Sequence, residues 1–247
     1  MENKINILGV GFDNISHDGI RPCIEKMLAV AKRQYIVTPN PEILEYAKKD
    51  EEYKSILNRA NLCVADGIGI VYASKILGAD IKERIPGIEI GECVLSLCAE
   101  TGERVFLLGA KQGVAEKAAS RLCEKYRGLC VSGVHHGYFG CEENGKVADE
   151  INRSKASVVF VCMGAPYQEK WIAQNISKLE NVKLALALGG SLDVYSGKVK
   201  RAPAAFRLLG IEWLWRCFCS PARFARMLRM PVFVLDVLRE RRKNENF

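Results

Sequence analysis

The sequence lacks any apolar run near the roughly 20 residues that a membrane-spanning helix needs. Its first twelve residues, MENKINILGVGF, are too short and too acidic for a secretory signal. These absences predict a protein that is made and kept in the cytoplasm. With 247 residues, of which 49% are hydrophobic and 26% charged, the chain is long enough for one large α/β domain or two small ones.

Candidate metal ligands are few. The chain has three histidines, of which His135 and His136 are adjacent, and its ten cysteines include no Cys-x-x-Cys pair of the kind that zinc sites use. Cys63, Cys123 and Cys162 fall inside apolar segments, so we expect reduced cysteines that act as small hydrophobic side chains. No Asp-x-Asp pair is present to hold a sugar-nucleotide diphosphate through a metal. The sequence therefore predicts no metal site.

Other cofactor and nucleophile motifs fail in detail. Gly9-Val10-Gly11 begins like a dinucleotide fingerprint, but Asn14 replaces the third glycine and no helix start follows. The stretch from Gly140 to Val147 imitates a P-loop, yet it lacks the Ser or Thr and places two glutamates where phosphates would lie. No Gly-x-Ser-x-Gly elbow supports serine hydrolysis. A nicotinamide-dependent oxidoreductase stays open as a rival, because it would share the fold class.

Short apolar runs alternate with amphipathic helical patterns, which is typical of a parallel sheet in an α/β fold. The predicted buried strands are Lys4–Val10, Tyr35–Thr38, Leu62–Ala65, Arg104–Gly109, Leu129–Val134, Ser157–Met163 and Lys183–Leu188. The clearest helices between them are residues 114–126 and 167–179. Ligands of such sheets bind beyond the carboxyl ends of the strands, where this sequence repeatedly places glycine, proline or polar residues. Asp66 lies at one of these ends, and from the residues alone it is either an N-cap for a helix at 68–76 or a chemical group.

Almost all of the net charge lies in the tail. Residues 201–247 hold nine Arg and one Lys against four acidic residues, a net +6 of the chain's +7. Ser220-Pro221 starts a helix, which places three arginines on one face and three apolar residues on the other until Pro231 interrupts it. This pattern favours an anionic membrane surface. A solvated helix docked on the domain is the alternative, and nucleic acid is disfavoured because no recognised binding motif appears.

Ordered blocks at the strand ends carry a family resemblance. They are TPNPEIL (38–44), ADGIGIV (65–71), RIPGIEI (84–90), FLLGAKQGVAEKAA (106–119), HGYF (136–139), MGAPYQEKWI (163–172), GGSLDVYSGKVKRAP (189–203) and GIEWLWR (210–216). The ordered set resembles the bacterial WecG/TagA/CpsF glycosyltransferases. The resemblance implies a Rossmann-like α/β core at residues 1–200 and a helical, basic, membrane-proximal appendage at 201–247. That appendage would act as a lid over the site and as the membrane contact.

The resemblance also implies the reaction. Family members transfer an N-acetylmannosamine-type sugar from UDP to undecaprenyl-diphosphate-linked N-acetylglucosamine, with inversion and without metal or other cofactor. The product belongs to wall teichoic acid or a related surface polysaccharide, and we expect the enzyme on the inner face of the cell membrane. An N-acetylmannosaminuronic acid donor and a noncatalytic nucleotide-sugar sensor remain alternatives. A homo-oligomer that hides the tail away from the membrane also stays open.

Site residues follow by motif. By resemblance, Asp66 is the general base that takes the proton of the attacking acceptor hydroxyl, and a helix N-terminus beside it would favour its ionised form. The residues expected to bind donor or acceptor are Thr38, Asn40, Arg84, Gly109, Tyr138, Gln168 and Asp193. The appendage arginines expected to complete the diphosphate site are Arg216, Arg223 and Arg226. Among the donor or acceptor residues, Gly109 is expected to let the backbone approach the nucleotide, and Gln168 to donate hydrogen bonds to the diphosphate. The structural alternatives are a surface ion pair for Arg84, a core aromatic for Tyr138 and a helix cap for Asp193.

Overall fold

The computed structural model describes residues 4–203, 206, 212, 215 and 230–245. Its strands are β1 (Ile5–Ile7), β2 (Val10–Phe12), β3 (Gln34–Val37), β4 (Leu62–Cys63), β5 (Arg104–Gly109), β6 (Cys130–His135), β7 (Val158–Cys162) and β8 (Leu184–Ala187). Its described α-helices are α1 (His17–Ala29), α2 (Pro41–Ala47), α3 (Glu51–Asn58), α4 (Ile68–Ile76), α5 (Gly87–Thr101), α6 (Val114–Lys125), α7 (Asn144–Ser154), α8 (Tyr167–Asn175), α9 (Ser191–Tyr195) and α10 (Met230–Glu245). Two 3-10 turns lie at Cys141–Glu143 and Ile176–Lys178.

Two compact units share the chain, and each is assembled from separate stretches. The first contains Met1–Ser16, Thr38–Pro86 and Arg201–Phe247, and the second contains His17–Val37 and Gly87–Lys200. The described residues beyond position 200 thus group with two earlier stretches of the chain. Their predicted role as a lid stays a prediction.

The second unit is built on five parallel strands in the order β3-β8-β7-β5-β6. All five residues of β7 and all four of β8 are buried, as continuous apolar strands covered on both faces should be. Residues of β6 are half-buried or exposed, and helices α6 and α7 contact this strand. The α/β class and the Rossmann-like parallel sheet predicted from the sequence are confirmed.

The first unit begins with a structure that the sequence pattern did not predict. Lys4–Val10 is not one strand of the parallel sheet: β1 and β2 form an antiparallel hairpin around a turn at Leu8 and Gly9. Both turn residues have positive φ, +51° and +83°, and the Gly9 amide donates to Asn6 Oδ1 at 3.0 Å. Leu8 gave no turn signal, because leucine rarely adopts this conformation.

Helix α10 packs into the first unit by one face. Phe233 and Val237 are buried, and α10 contacts α2 and α4. The Asp236 carboxylate, also buried, forms an ion pair with Lys48 at the end of α2. Glu240 Oε1 accepts a hydrogen bond from the Leu8 amide in the hairpin turn at 3.3 Å. Residues near the C-terminus therefore contribute to the core of this unit.

The described cysteines are reduced, in line with the sequence prediction, but they do not share one environment. Cys63, Cys98 and Cys162 are buried, whereas Cys123, Cys130 and Cys141 are exposed. The expectation that Cys123 acts as a buried hydrophobe was therefore wrong: it lies on an outer position of α6, near the end of the helix. Within the described residues, no helix is long and apolar enough to cross a membrane.

Candidate active site

Three segments of the first unit that carry predicted site residues are joined through their backbones. The amide of Asp66 donates to the carbonyl of Pro39 at 3.1 Å, which ties the loop after β4 to the loop after β3. On the other side, the Ile85 amide donates to the carbonyl of Ala65 at 3.0 Å. The structure therefore brings together the segments of Thr38, Asn40, Asp66 and Arg84.

Asp66 does not occupy the N-cap position of α4. Gly67 does, with φ +146°, and it supplies no side-chain capping bond. The interpretation of Asp66 as the N-cap was therefore wrong, because the chain needs a glycine in this extended positive-φ conformation just before the helix. Asp66 precedes this glycine and is half-buried. The residues that follow it pack closely against the start of α2, because a Cβ on Gly67 or Gly69 would touch Pro41.

The loop after β3 presents a buried hydroxyl residue and a helix cap. Thr38 is 7% exposed. Asn40 is the N-cap of α2, where its Oδ1 accepts from the Ile43 amide at 3.1 Å and Pro41 occupies the first turn. This capping bond fixes the Asn40 side chain beside Gly67. Its expected contact with acceptor or sugar stays a prediction.

Arg84 lies in a partly buried ion pair. Its Nη2 is 3.3 Å from Glu212 Oε1, and the side chains of the two residues are 15% and 9% exposed. This is not the surface ion pair that was the structural alternative for Arg84. Glu212 comes from the GIEWLWR block but was not predicted as a site residue, since nothing in the sequence pairs two residues 128 positions apart.

In the second unit, the carboxyl ends of β5, β6 and β7 meet backbone to backbone. Gly109 has φ +138°, and a Cβ there would overlap the carbonyl of Cys162. The Ala110 amide donates to that carbonyl at 3.1 Å, and the Gly137 amide donates to the carbonyl of Ala110 at 2.8 Å. Close packing between strands therefore requires a glycine at position 109. The reason expected from the sequence was instead the approach of a nucleotide.

The environment of Gln168 differs from the one expected of a side chain that donates hydrogen bonds to the diphosphate. It is 3% exposed, and its Oε1 accepts from the amides of Gly164 at 3.2 Å and Gly189 at 2.8 Å. Its Nε2 donates to Glu169 Oε1 at 2.8 Å. Glu169, itself 1% exposed, was missed by sequence reasoning although it lies in the MGAPYQEKWI block.

Tyr138 lies in the loop after β6, and Asp193 lies in α9, the helix that follows β8. Tyr138 follows β6 and is 71% exposed, so the core-aromatic alternative was wrong. Asp193 is the third residue of α9 and pairs with Lys198 at 3.2 Å, so it is not the cap of that helix. Burial raises the pKa of the Cys162 thiol to about 12, and the nearby charge of Asp193 adds to this shift.

Tyr195 is a second residue that the sequence did not single out. Its hydroxyl donates to the carbonyl of Ile88 at 3.1 Å, and a Cβ on Gly91 would collide with that hydroxyl. The RIPGIEI and GGSLDVYSGKVKRAP blocks are therefore held together at the start of α5.

The three predicted tail arginines, Arg216, Arg223 and Arg226, lie outside the described residues. In the part of the chain that the structure describes, no group of three His, Cys, Asp or Glu side chains is placed to hold a metal ion.

Comparison with known proteins gives the family. The model of the glycosyl transferase WecG/TagA/CpsF family matches residues 5–247. An N-acetylglucosaminyldiphosphoundecaprenol N-acetyl-beta-D-mannosaminyltransferase of Staphylococcus aureus (strain MRSA252) is 38% identical over 242 residues, which cover 97% of this chain and 94% of that protein. The protein of the same name from strain NCTC 8325 / PS 47 is 37% identical with the same coverage. The chain is a glycosyltransferase and belongs to the WecG/TagA/CpsF family.

Proposed function

We propose that this protein transfers N-acetylmannosamine from UDP to N-acetylglucosaminyl-diphospho-undecaprenol, an early step of the wall teichoic acid linkage unit or a related surface polysaccharide. The observation that carries the proposal is the similarity along 97% of the chain to relatives whose name states this acceptor and this sugar. The donor nucleotide, inversion and independence from metal are proposed with it.

Asp66 is the proposed general base. As the acceptor hydroxyl attacks the anomeric carbon, its oxygen forms the new glycosidic bond and its proton passes to the carboxylate, while the bond to UDP breaks. Two features of the first unit support this role: Asp66 is not used as the N-cap of α4, and hydrogen bonds on both sides hold its segment to those of Thr38 and Arg84. We place Thr38 and Asn40 against the reacting sugars.

UDP leaves with more negative charge than it carried in the donor, so positive groups near its diphosphate stabilise the transition state. We propose that Arg84 supplies such charge and that Glu212 orients its guanidinium. The loops after β5, β6, β7 and β8 in the second unit, with Tyr138 and Asp193, are the proposed donor-binding surface. Ligands of open parallel sheets bind at this end of the strands.

A transfer assay with defined lipid acceptor and EDTA tests the proposal. We expect turnover with UDP-N-acetylmannosamine and a product whose anomeric configuration, measured by NMR, is inverted. Turnover only with the uronic acid donor would change the donor assignment. UDP binding without turnover on any donor or lipid would reject the proposed reaction, and binding of NAD in place of UDP would reject the proposed donor.

Helix α10 is the proposed contact with the bilayer. Outside its buried face, four apolar residues are 40–53% exposed: Val232, Val234, Leu235 and Leu238. Four basic residues lie among and after them, and all are exposed: Arg239, Arg241, Arg242 and Lys243. Exposed apolar side chains with adjacent basic groups fit an anionic lipid surface. The undecaprenyl acceptor would place the enzyme at such a surface, on the cytoplasmic side.

Vesicle cosedimentation tests this contact. Leu235→Gln/Leu238→Gln should weaken binding to phosphatidylglycerol-containing vesicles about 10-fold, because two exposed leucines no longer enter the interface. Val30→Gln removes an exposed apolar side chain that directly follows α1, in the second unit, and serves as a control. Equal binding of both variants and the wild type would remove α10 from the interface.

A further inference from the structure

One side-chain oxygen joins two loops at neighbouring strand ends of the second unit. Gly164 follows β7 and Gly189 follows β8, and these strands are paired in the sheet. The amides of both glycines donate to Oε1 of Gln168, the second residue of α8. The buried Gln168 amide therefore sets the spacing between the two loops.

Both loops have open backbone that needs such a restraint. Gly164 and Gly189 have φ of +82° and +53°, which side-chain-bearing residues rarely adopt. A Cβ built on either glycine, or on Gly190, meets no atom within 4 Å. Packing therefore does not explain these glycines, in contrast to Gly109, and a ligand can approach their backbone closely.

The orientation of the Gln168 amide is fixed from its other end. Nε2 donates to Oε1 of Glu169 at 2.8 Å. A flipped amide would place its NH2 group against two backbone N–H donors and its oxygen against a carboxylate. One arrangement therefore satisfies the contacts, with the oxygen toward the glycines and the nitrogen toward Glu169.

We propose that Gln168 is a positioning residue, which holds the loops of Gly164 and Gly189 in the conformation that receives the donor diphosphate. It acts through the loop backbone and does not itself donate a hydrogen bond to the phosphates. This inference rests on the proposed function and replaces the role that the family resemblance implied for Gln168. The amides of Gly164 and Gly189 are occupied by Gln168, so the proposed partners of the phosphate oxygens are other backbone amides of the two loops.

Exchanging the two side chains tests the inference. In Gln168→Glu/Glu169→Gln, the carboxylate at position 168 can accept from both glycine amides and from the new amide at position 169, so each of these hydrogen bonds is kept. Gln168→Glu alone places two carboxyl groups side by side in a buried site, and at a pH high enough to ionise both, the hydrogen bond between them is lost. Comparing the single and double variants therefore shows whether the hydrogen bonds to the two loops matter, or whether an amide is needed at position 168.

Isothermal titration with UDP and donor kinetics are the readouts. We expect Gln168→Glu to lose roughly 30-fold in UDP affinity and in kcat/KM for the donor, within the range for a buried polar group left unpaired. The double variant should recover to within about 5-fold of the wild type. Glu169→Gln alone reports any separate effect of that residue, and Gln174→Glu, an equal charge change at an exposed position of α8, should match the wild type.

A direct contact predicts the opposite for the double variant, because a carboxylate at position 168 would repel the diphosphate. A double variant that is unfolded, or folded but no better than Gln168→Glu, would overturn the inference. Gln168→Asn, which is too short to reach both loops, should lower the thermal midpoint because buried amides lose their acceptor, and it should also raise the donor KM of the protein that is folded at the assay temperature. If the activity of Gln168→Asn falls only in proportion to its folded fraction, the inference would also be overturned. A wild type that binds no UDP would reject the proposed function, and this inference with it.

Discussion

The two units present different chemistry at their candidate sites. In the first unit the residues of interest are charged or hydroxyl side chains, namely Asp66, Thr38 and the Arg84–Glu212 pair. In the second unit the strand ends are built from glycine backbone, which Gln168 and close strand contacts hold in place. Under the proposed function, proton transfer and charge stabilisation belong to the first unit, and nucleotide binding by preformed backbone belongs to the second.

The largest loss of stability is expected at Gly109, the glycine of the second unit that packs most tightly against backbone atoms. Gly109→Ala should cost about 3 kcal/mol or more, because the new Cβ overlaps the Cys162 carbonyl and φ is +138°. Gly190→Ala should cost less than about 0.5 kcal/mol, since φ is −85° and nothing lies within 4 Å. Urea unfolding measures both. Equal costs would remove the distinction between packing glycines and open glycines.

The ion pair of the first unit should combine a structural and a functional role. Arg84→Met should lower the free energy of unfolding by about 3 kcal/mol, because it leaves the Glu212 carboxylate in a largely buried site without this partner. Arg84→Met/Glu212→Leu should regain most of that stability.

Transfer activity separates the two roles. We expect it to stay low in the double variant, because the guanidinium is proposed to stabilise the leaving diphosphate. If the double variant regained wild-type turnover, the pair would be structural only, and the contrast between the units would weaken.

A second-unit ion pair gives the smallest effect and a pH test. Burial alone would raise the pKa of Glu103, but hydrogen bonds from Lys183 and Ser157 lower it below its ordinary value of 4.5. The ionised form is therefore favoured in the folded state. This contribution is complete above about pH 4.5 and is lost as pH falls through the lowered pKa.

Glu103→Gln should accordingly cost about 1 kcal/mol at neutral pH and less in acid, with turnover unchanged. Unfolding free energies from pH 3 to 7 measure the effect. A cost that grew as the pH fell would contradict the assigned direction of the pKa shift.

Much of the second unit was predictable from sequence because its strands are continuous apolar runs. The prediction for Arg104–Gly109 coincides with β5, and those for β7 and β8 are one residue too long at each end. Buried parallel strands leave this signature whatever surrounds them. The chemistry of the loops was less visible, because the role of Gln168 depends on two glycines that only the folded sheet brings to it.

The first unit was harder to predict because its contacts are distant in the chain. The sequence of the hairpin resembles a single apolar strand, because Leu8 is not a residue that indicates a turn. Leu8 and Glu240 are 232 residues apart, and Lys48 and Asp236 are 188 apart. Pairings over such separations depend on the tertiary fold, whereas the resemblance supplied Asp66 and Arg84 directly by motif.

The most direct test of the account compares Asp66→Asn with the wild type in the transfer assay. We expect kcat to fall about 100-fold or more, the scale for loss of a general base, while UDP affinity and thermal midpoint stay near wild type. Asp80→Asn, a change at an exposed aspartate of the same unit, is the matched control. Equal turnover of Asp66→Asn and the wild type would contradict the account and leave the base unassigned.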